Sequence, residues 1–229
     1  MITSWITSLV QNAIQTVSNK AIEAQEPEIS LSQKIKQYYL EHGYQWDEVN
    51  LIGIRRTEIP YKNQFKDLIL VVEDDRINKF PFTTLPGSTW TPELRKKYGV
   101  AYEAVICFGY YKDTWRIGNH RGYEALSQQG GPVTCYIDKN KDGIQNADEK
   151  TYLEPVGAGM NIHKSGVTGQ ANVGLSSAGC QVFPIWDHFN WTMDRLKSTE
   201  KFKANPKALF SYLLVNSQEF PFMQEVLGV

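Results

Sequence analysis

Sixteen residues separate His163 from Cys180 in the segment NIHKSGVTGQANVGLSSAGCQVF. A nucleophilic cysteine requires an adjacent base or a lowered thiol pKa, and it requires donors for the oxyanion that forms on attack. His163 ends a predicted strand, where its imidazole can serve as the base. Gly179 permits a tight turn next to Cys180, and such a turn can direct backbone N–H groups into an oxyanion hole. The segment therefore suggests a thiol active site in which Ser176 and Ser177 supply further hydroxyl donors.

The three cysteines differ in their surroundings. Cys107 in AVICFGY and Cys135 in PVTCYID lie in apolar, β-like runs, so we predict that both are buried structural thiols. An odd number of cysteines without C-x-x-C spacing fits neither a disulfide framework nor a zinc site. A histidine and a cysteine in one chain are by themselves a weak indication of catalysis, and a structural role for the segment remains the alternative.

The local motif is more specific than the pair of residues. An Ile-His followed by sixteen residues and a cysteine inside S-x-G-C resembles the signature of the L,D-transpeptidase (YkuD-like) family, HG…S-H-G-C-[IV]-R. In that family the cysteine is acylated by a peptidoglycan stem peptide, and the histidine activates the thiol. The resemblance implies that Cys180 is the nucleophile, His163 the base, Gly179 the oxyanion turn and Ser177 the serine of the motif. We predict no cofactor for catalysis.

The resemblance also has departures. Weaker similarity to a phage- and bacterium-associated branch extends over residues 50–195, through the segments NLIGIRR, TTLPGS, IGNHRGYEAL and SAGCQVF. Lys164 replaces the glycine after the histidine, and Ala178 replaces the second histidine of the family. Gln181 and Val182 stand where an aliphatic residue and an arginine are expected. That arginine is thought to position the catalytic pair, so its absence leaves open which group orients the histidine.

Several side chains are candidates for binding substrate or for orienting the histidine. Gln181, Asn161 or a backbone carbonyl can orient the imidazole, and Arg121 in NHRGYEAL can supply a positive charge. His120, directly before Arg121, can line the same cleft, although a hydrogen-bonded structural histidine is an equally good interpretation. Together with Ser176, these residues form the predicted substrate-binding set.

A second signal occupies residues 138–149, DKNKDGIQNADE, which match the template of a calcium-binding loop. Short oxygen-bearing side chains at alternate positions converge on a hard cation, and a glycine permits the sharp turn. The flanking segments are β-like instead of the paired helices of an EF-hand, and such turns also form without metal. We predict a structural Ca²⁺ that pins the hairpin before the histidine strand. The predicted ligands are Asp138, Asn140, Asp142, Ile144 and Glu149.

The hydrophobic pattern divides the chain into a short N-terminal segment and one larger domain. Over residues 1–24, apolar side chains recur at the spacing of one helical face, and Pro27 ends the helix in a linker. We predict an amphipathic helix and linker over 1–28, either docked on its own domain or contacting a carrier or an oligomer. Over 29–229, short β-rich runs separated by turns indicate a mainly β (α+β) fold. The resemblance implies a YkuD-like catalytic domain here, a β-sandwich or barrel with peripheral helices.

The composition argues against several classes of partner. The chain has 229 residues, a net charge of -1 and 24 basic residues that form no run, so we expect neither a nucleic-acid groove nor a membrane-surface patch. No stretch reaches the ~18 apolar residues that a membrane span needs. The N-terminus lacks the features of a signal peptide. We therefore expect synthesis in the cytoplasm and action in the periplasm or cell wall, reached through phage lysis or a dedicated secretion machine.

Two functions follow from these patterns. The first is a cysteine-dependent acyl-transfer enzyme acting on peptidoglycan stem peptides as a transpeptidase, carboxypeptidase or endopeptidase, with Cys180 as the acylated residue and His163 as the base. The second is a non-catalytic, calcium-stabilised structural or binding module of a phage particle or secretion assembly. The thiol reactivity of Cys180, relative to Cys107 and Cys135, distinguishes the two hypotheses.

Overall fold

The computed structural model describes residues 29–60 and 63–229. Its strands are β1 (Asn50–Arg55), β2 (Asp67–Glu73), β3 (Arg76–Phe82), β4 (Val105–Ile106), β5 (Gly109–His120), β6 (Tyr123–Gln128), β7 (Val133–Tyr136), β8 (Tyr152–Glu154), β9 (Ile162–Lys164), β10 (Gln181–Phe183) and β11 (Leu209–Asn216). Its α-helices are α1 (Leu31–Glu41), α2 (Pro92–Tyr98), α3 (Trp186–Ser198), α4 (Glu200–Ala204) and α5 (Met223–Leu227), and a 3-10 turn spans Gly174–Ser176.

Eight strands form one sheet that nearly closes into a barrel, in the order β10-β9-β6-β5-β11-β1-β2-β3. Thr83, just after β3, and Val182 of β10 exchange two backbone hydrogen bonds of 2.9 and 3.0 Å, which link the two edges of the sheet. Closure of this kind protects edge strands that would otherwise present unpaired backbone groups. Strands β4, β7 and β8 form a separate antiparallel sheet. This α+β architecture, mostly sheet with a few helices, confirms the predicted mainly β class.

Alternating side chains along β1 and β2 build hydrophobic clusters on both faces of the sheet. Successive residues of a strand point to opposite faces. Leu51 and Ile69 belong to a large cluster that draws on most strands of the barrel, and this cluster fills its interior. Ile52 and Leu70, the next residues along, pack instead with Ile35 of α1. Helix α1 therefore covers the outer face of the sheet, and β1 and β2 are buried on both sides.

Two helices carry clear local sequence signals. Helix α3 packs on the barrel cluster through Phe189, Met193 and Leu196, whose spacing places them on one helical face. The hydroxyl of Thr91 caps α2, and the left-handed Gly99 ends it at a φ of 68°. The end of α2 carries Tyr98, a residue that borders the cleft described below.

The predicted N-terminal amphipathic helix and linker lie in residues 1–28, outside the described residues, and stay a prediction. In the ranges that are described, no helix combines the length and apolar character required to cross a bilayer.

Candidate active site

Strands β9 and β10 bring His163 and Cys180 to the same end of the barrel. They are parallel neighbours, with Val182 opposite His163. Parallel neighbours need a crossover connection, because a tight turn joins only antiparallel strands. The loop 165–180 supplies this crossover and ends at Cys180, directly before β10. The spacing between the histidine and the cysteine is therefore the length of the crossover.

Two oxygens orient the imidazole of His163, which is only 3% exposed. Its Nδ1 lies 2.7 Å from the carbonyl oxygen of Lys164 and 3.0 Å from the hydroxyl oxygen of Tyr123. A carbonyl oxygen can only accept a hydrogen bond, so Nδ1 carries the proton and Nε2 carries the lone pair. Nε2 is buried and has no hydrogen-bond partner within the described residues. The group that orients the histidine is thus a backbone carbonyl, one of the three candidates named from the sequence.

The hairpin between β5 and β6 places two further side chains against His163. Arg121 and Gly122 form its two-residue turn with φ values of 51° and 94°, the left-handed geometry of tight hairpins. His120 and Tyr123 therefore lie directly opposite each other. The ring of His120 stacks on that of His163, with centroids 4.2 Å apart and planes inclined by 16°.

Asn161 sets the tautomer of His120. Its Oδ1 accepts the backbone N–H of Gln128 at 2.9 Å, so its Nδ2 is the donor to His120 Nδ1, also at 2.9 Å. Nδ1 of His120 is then the acceptor nitrogen, and the Nε2–H of the ring is the donor. Asn161 borders the cleft, but its side chain orients His120, not His163.

Burial keeps both imidazoles neutral. Burial lowers the pKa of His163 to about 3, assisted by His120 and Arg121 and opposed by the hydrogen bond to Lys164. Burial, followed by the charge of Arg121, lowers the pKa of His120 to about 4. Burial also raises the pKa of Tyr123 to about 12, so its hydroxyl remains protonated. At neutral pH His163 therefore presents an unprotonated nitrogen, as a general base requires.

The thiol of Cys180 is half-buried and donates to the carbonyl oxygen of Gly159 at 3.2 Å. Burial raises its pKa, and the backbone N–H groups of Asn161 and Cys180 and the guanidinium of Arg121 oppose that rise. No hydrogen bond joins its sulfur to His163 in the described part of the chain. The pair is thus a neutral thiol and a neutral imidazole that are not hydrogen-bonded to each other.

The turn before Cys180 has a shape that only glycine fits. Gly179 has a φ of 146°, and a Cβ there would lie 2.7 Å from the carbonyl oxygen of Ala104 and 2.9 Å from Cε of Met160. Ser177, 1% exposed, accepts the N–H of Gly179 at 3.1 Å and donates to the carbonyl of Cys180 at 2.8 Å. Ser177 therefore holds the turn, and the N–H of Gly179 is already engaged. The N–H of Cys180 has no oxygen acceptor among the described residues and remains available for an oxyanion.

His163 and Cys180 border a cleft made of two adjoining cavities of 630 and 390 Å³. Both cavities are lined by Trp90, Tyr98, His120, Arg121, His163, Leu175 and Ser176. Tyr123 and Lys164 line the larger cavity only, whereas Cys180, Gly179 and Glu154 line the smaller one only. The base is therefore shared by both cavities, and the thiol belongs to one.

Of the predicted substrate-binding residues, Ser176 lines the cleft and Gln181 does not. Ser176 borders both cavities, and its hydroxyl accepts from the side chain of Gln170 at 2.9 Å. Gln181 is fully buried and lines neither cavity; its amide pairs with the hydroxyl of Tyr212 at 3.0 Å and the carbonyl of Thr84 at 3.4 Å. The interpretation of Gln181 as a substrate contact or as the group that orients the histidine is wrong. Gln181 begins β10 with its side chain inside the barrel, where the hydroxyl of Tyr212 is also buried.

The sequence analysis missed two groups that shape the site. Tyr123 contacts His163, and the signal that could have found it is the His-Arg-Gly-Tyr hairpin, which pairs its first and last residues. Trp90, which lines both cavities, donates its indole N–H to the carbonyl of Ser177 at 2.6 Å. No local pattern predicts that contact, because the two residues lie 87 positions apart in the sequence.

The loop 138–149 is closed by its own hydrogen bonds. Backbone N–H groups donate to its carboxylates: Gly143 to Asp138 at 2.7 Å, Ile144 to Asp142 at 2.8 Å, and Lys139 and Asn146 to Glu149 at 2.6 and 2.9 Å. The side-chain amide of Asn140 donates to Asp142 at 2.9 Å. Burial raises the pKa of Asp138, and the nearby charges of Asp142 and Glu149 add to that rise. Among the described residues, no group of three or more His, Cys, Asp or Glu side chains is arranged to hold a metal ion, and calcium binding stays a prediction.

No protein-family model matches the chain, and no curated protein matches it. The assignment to a family therefore rests on the sequence motif and is part of the proposal that follows.

Proposed function

We propose that the chain is a YkuD-like, cysteine-dependent acyl-transfer enzyme that acts on peptidoglycan stem peptides, with Cys180 as nucleophile and His163 as base. One observation carries the proposal: Nε2 of His163 is buried, unprotonated and without a hydrogen-bond partner among the described residues, and the thiol of Cys180 borders the same cleft. A buried ring nitrogen without a partner is costly in a folded protein. Such a cost is typical of a group that acts on a ligand.

Acylation begins when the thiol of Cys180 turns from the carbonyl of Gly159 towards His163. The sulfur attacks the carbonyl carbon of a substrate amide, and the thiol proton passes to Nε2 of His163. The oxygen that becomes negative lies near the backbone N–H of Cys180, which is free to donate. The tetrahedral intermediate then breaks its C–N bond, the leaving amine takes the proton from His163, and a thioester remains on Cys180.

The second half of the reaction releases the acyl group. An acceptor amine attacks the thioester carbon and loses a proton to His163; a new C–N bond forms, the C–S bond breaks, and the departing sulfur of Cys180 takes that proton back from His163. An amine acceptor gives cross-linking or exchange, whereas water gives carboxypeptidase or endopeptidase products. The hydrogen bond from Nδ1 to the carbonyl of Lys164 stabilises the imidazolium that forms in both halves.

The alternative, a non-catalytic module, is favoured by one observation. The thiol donates to Gly159 instead of His163, and burial raises its pKa. In that case Cys180 would be an inert, partly buried thiol like Cys107, whose pKa burial also raises. Labelling of the folded protein with a thiol reagent separates the two, because the enzyme hypothesis requires Cys180 to react faster than Cys107 and Cys135.

Digestion of purified peptidoglycan tests the proposal directly. We expect wild type to change the muropeptide profile read by mass spectrometry, and Cys180→Ala to leave it unchanged. Cys107→Ala is the matched control, since Cys107 is also a partly exposed thiol but does not line the cleft. Identical profiles for wild type and Cys180→Ala, with both proteins folded by thermal melting, would contradict the proposal. The mass of the new products distinguishes cross-linking from cleavage.

Two further elements complete the proposed picture. If bound, Ca²⁺ would be held by carboxylates of the loop 138–149, stiffening the chain before β9 and supplying no catalytic chemistry. Residues 1–28 would provide a contact for a carrier or an oligomer. The site of action would be the periplasm or cell wall.

A further inference from the structure

The larger cavity of the cleft is lined by two cationic side chains. Arg121 and Lys164 line it, and no aspartate or glutamate is among its lining residues. Neither cation forms an ion pair or a side-chain hydrogen bond within the described residues. By contrast, several cations on the surface are paired, such as Lys197 with Glu124 at 2.5 Å. Two unpaired cations on one concave surface attract an anion.

Aromatic rings hold both cations in place without neutralising them. The ammonium of Lys164 lies 4.4 Å from the ring centroid of Trp186 and 5.4 Å from that of Tyr123. The guanidinium of Arg121 lies 5.7 Å from the ring centroid of Tyr98. A cation–π contact restricts a long side chain yet leaves its N–H donors free for a ligand. The N–H groups of both cations therefore have no acidic partner within the described residues, although Lys164 also borders a further cavity that Glu124 and Asp194 line.

The smaller cavity, which contains the thiol, has a different electrostatic character. Its lining includes the carboxylate of Glu154 as well as Arg121. A ligand with an anionic end is therefore repelled from the region of Glu154 and attracted to the region of Lys164. The charge of the cleft is therefore asymmetric: the cavity on one side of His163 is lined by cations, and the cavity that contains the thiol includes an acidic side chain.

We propose that Arg121 and Lys164 bind a free carboxylate of the acyl-donor peptide in the larger cavity, and so select donors that carry one near the reacting amide. The proposal deepens the proposed function and rests on it for the peptide nature of the ligand, whereas the charge argument does not depend on acyl transfer. Lys164 stands where the resembled family has a glycine, so this side chain is a feature of the present chain. A carboxylate fits both a guanidinium, through two parallel hydrogen bonds, and an ammonium.

Binding to the full-length Cys180→Ala protein tests the proposal without turnover. The probes are a peptidoglycan stem tetrapeptide with free carboxylates and the same peptide with its carboxylates amidated, each titrated by calorimetry. We expect the free acid to bind about tenfold more tightly than the amide at low salt, and the difference to shrink as ionic strength rises. Equal affinities for the two peptides would overturn the proposal.

Variants in the Cys180→Ala background assign the effect to the two cations. Lys164→Gln and Arg121→Gln should each weaken free-acid binding about fivefold and leave amide binding unchanged; Lys164→Gln also keeps the backbone carbonyl that orients His163. Lys112→Gln, which removes an exposed cation outside the cleft, should change neither affinity. Loss of binding for both peptides alike would mean a structural role and would overturn the assignment.

The two proposals fail in distinguishable ways. If wild type leaves peptidoglycan unchanged while Cys180→Ala still prefers the free acid, the carboxylate site stands and acyl transfer falls. If wild type reacts while the two peptides bind equally, acyl transfer stands and the carboxylate site falls.

Discussion

The cleft beside His163 and the loop 138–149 are both rich in polar side chains, but they differ in how those groups are paired. In the loop, Asp138, Asp142 and Glu149 each accept backbone N–H groups of the same loop. In the cleft, Nε2 of His163 and the N–H of Cys180 lack oxygen or nitrogen partners within the described residues.

The difference separates a polar region that stabilises itself from one that has capacity left for a ligand. Buried polar groups are normally paired, since an unpaired one costs about 1–3 kcal/mol. The loop matches a known metal template more completely than the cleft matches any motif. Its carboxylates, however, already accept hydrogen bonds from the backbone of the loop. A sequence motif identifies the polar side chains that are present. Their hydrogen bonds in the structure indicate whether they can still bind a ligand.

The largest effect on stability is expected at the turn before Cys180, the proposed nucleophile. Gly179→Ala would place a Cβ against the carbonyl of Ala104 and force alanine to a φ of 146°. We expect the free energy of unfolding, measured by urea denaturation, to fall by about 3 kcal/mol from backbone strain and overpacking. Gly43→Ala is the control: its φ is 68°, and no atom lies within 4 Å of the added Cβ. That variant should lose only about 1 kcal/mol.

Equal losses in the free energy of unfolding for Gly179→Ala and Gly43→Ala would contradict this prediction. They would mean that packing does not hold the nucleophile turn in its present shape. The free N–H of Cys180 would then not be pre-positioned for an oxyanion.

The neutral histidines of the cleft predict a fall in stability on acidification. The folded pKa values of His163 and His120 are about 3 and 4, below the usual value of about 6.5. Between pH 6.5 and 4 the unfolded chain therefore binds more protons, so the free energy of unfolding decreases as pH falls. Each histidine contributes at most about 1.4 kcal/mol per pH unit in this window.

A histidine variant isolates this contribution. Chemical denaturation of His163→Asn at several pH values should give a shallower dependence than wild type between pH 6.5 and 4. Gln37→Asn, an exposed change on α1 that removes no titratable group, should leave the slope unchanged. If the stability of His163→Asn depends on pH as steeply as that of wild type, the ring of His163 is not kept neutral in the folded protein.

The smallest effect is expected at the loop. Free Ca²⁺ about tenfold above its Kd should stabilise the fold by about 1.4 kcal/mol, or a rise in Tm of about 3–6 °C that EDTA reverses. Asp142→Asn should abolish the rise, because it removes a charged oxygen from the centre of the loop. Asp75→Asn, at the exposed turn between β2 and β3, is the control. An unchanged Tm in millimolar Ca²⁺ would show that the loop is satisfied by its own backbone alone.

Local signals predicted the elements well. The cap at Thr91, the glycine at position 99 and the apolar spacing along α3 each depend on residues within one or two turns, and the structure has those helices where the signals place them. The strand runs around Leu51 and Ile69 are likewise local patterns. The barrel was predicted only through a resemblance, because its closure depends on β3 meeting β10, two segments distant in the chain.

The site was predicted in part. His163, Cys180, His120, Arg121 and Ser176 all border one cleft, as their types and positions suggested. The interpretation failed where side-chain direction mattered. Gln181 follows Cys180 in sequence, but its side chain lies inside the barrel and accepts a hydrogen bond from Tyr212. Gly53 leaves the space that this tyrosine hydroxyl fills, since a Cβ there would lie 1.7 Å from it.

The sequence by itself determined which chemical groups are present: a thiol, an imidazole, a glycine that permits an unusual turn, and a crossover long enough to join parallel strands. Only the tertiary structure decided which of their atoms are free. The carbonyl of Lys164, the next residue, fixes the proton on Nδ1 of His163, and the hydroxyl of Tyr123 reaches the same nitrogen because β6 pairs with β9. The free lone pair at Nε2 thus depends on one local backbone contact and on one contact between residues 40 apart, and the direction of a side chain in such contacts cannot be read from residue types alone.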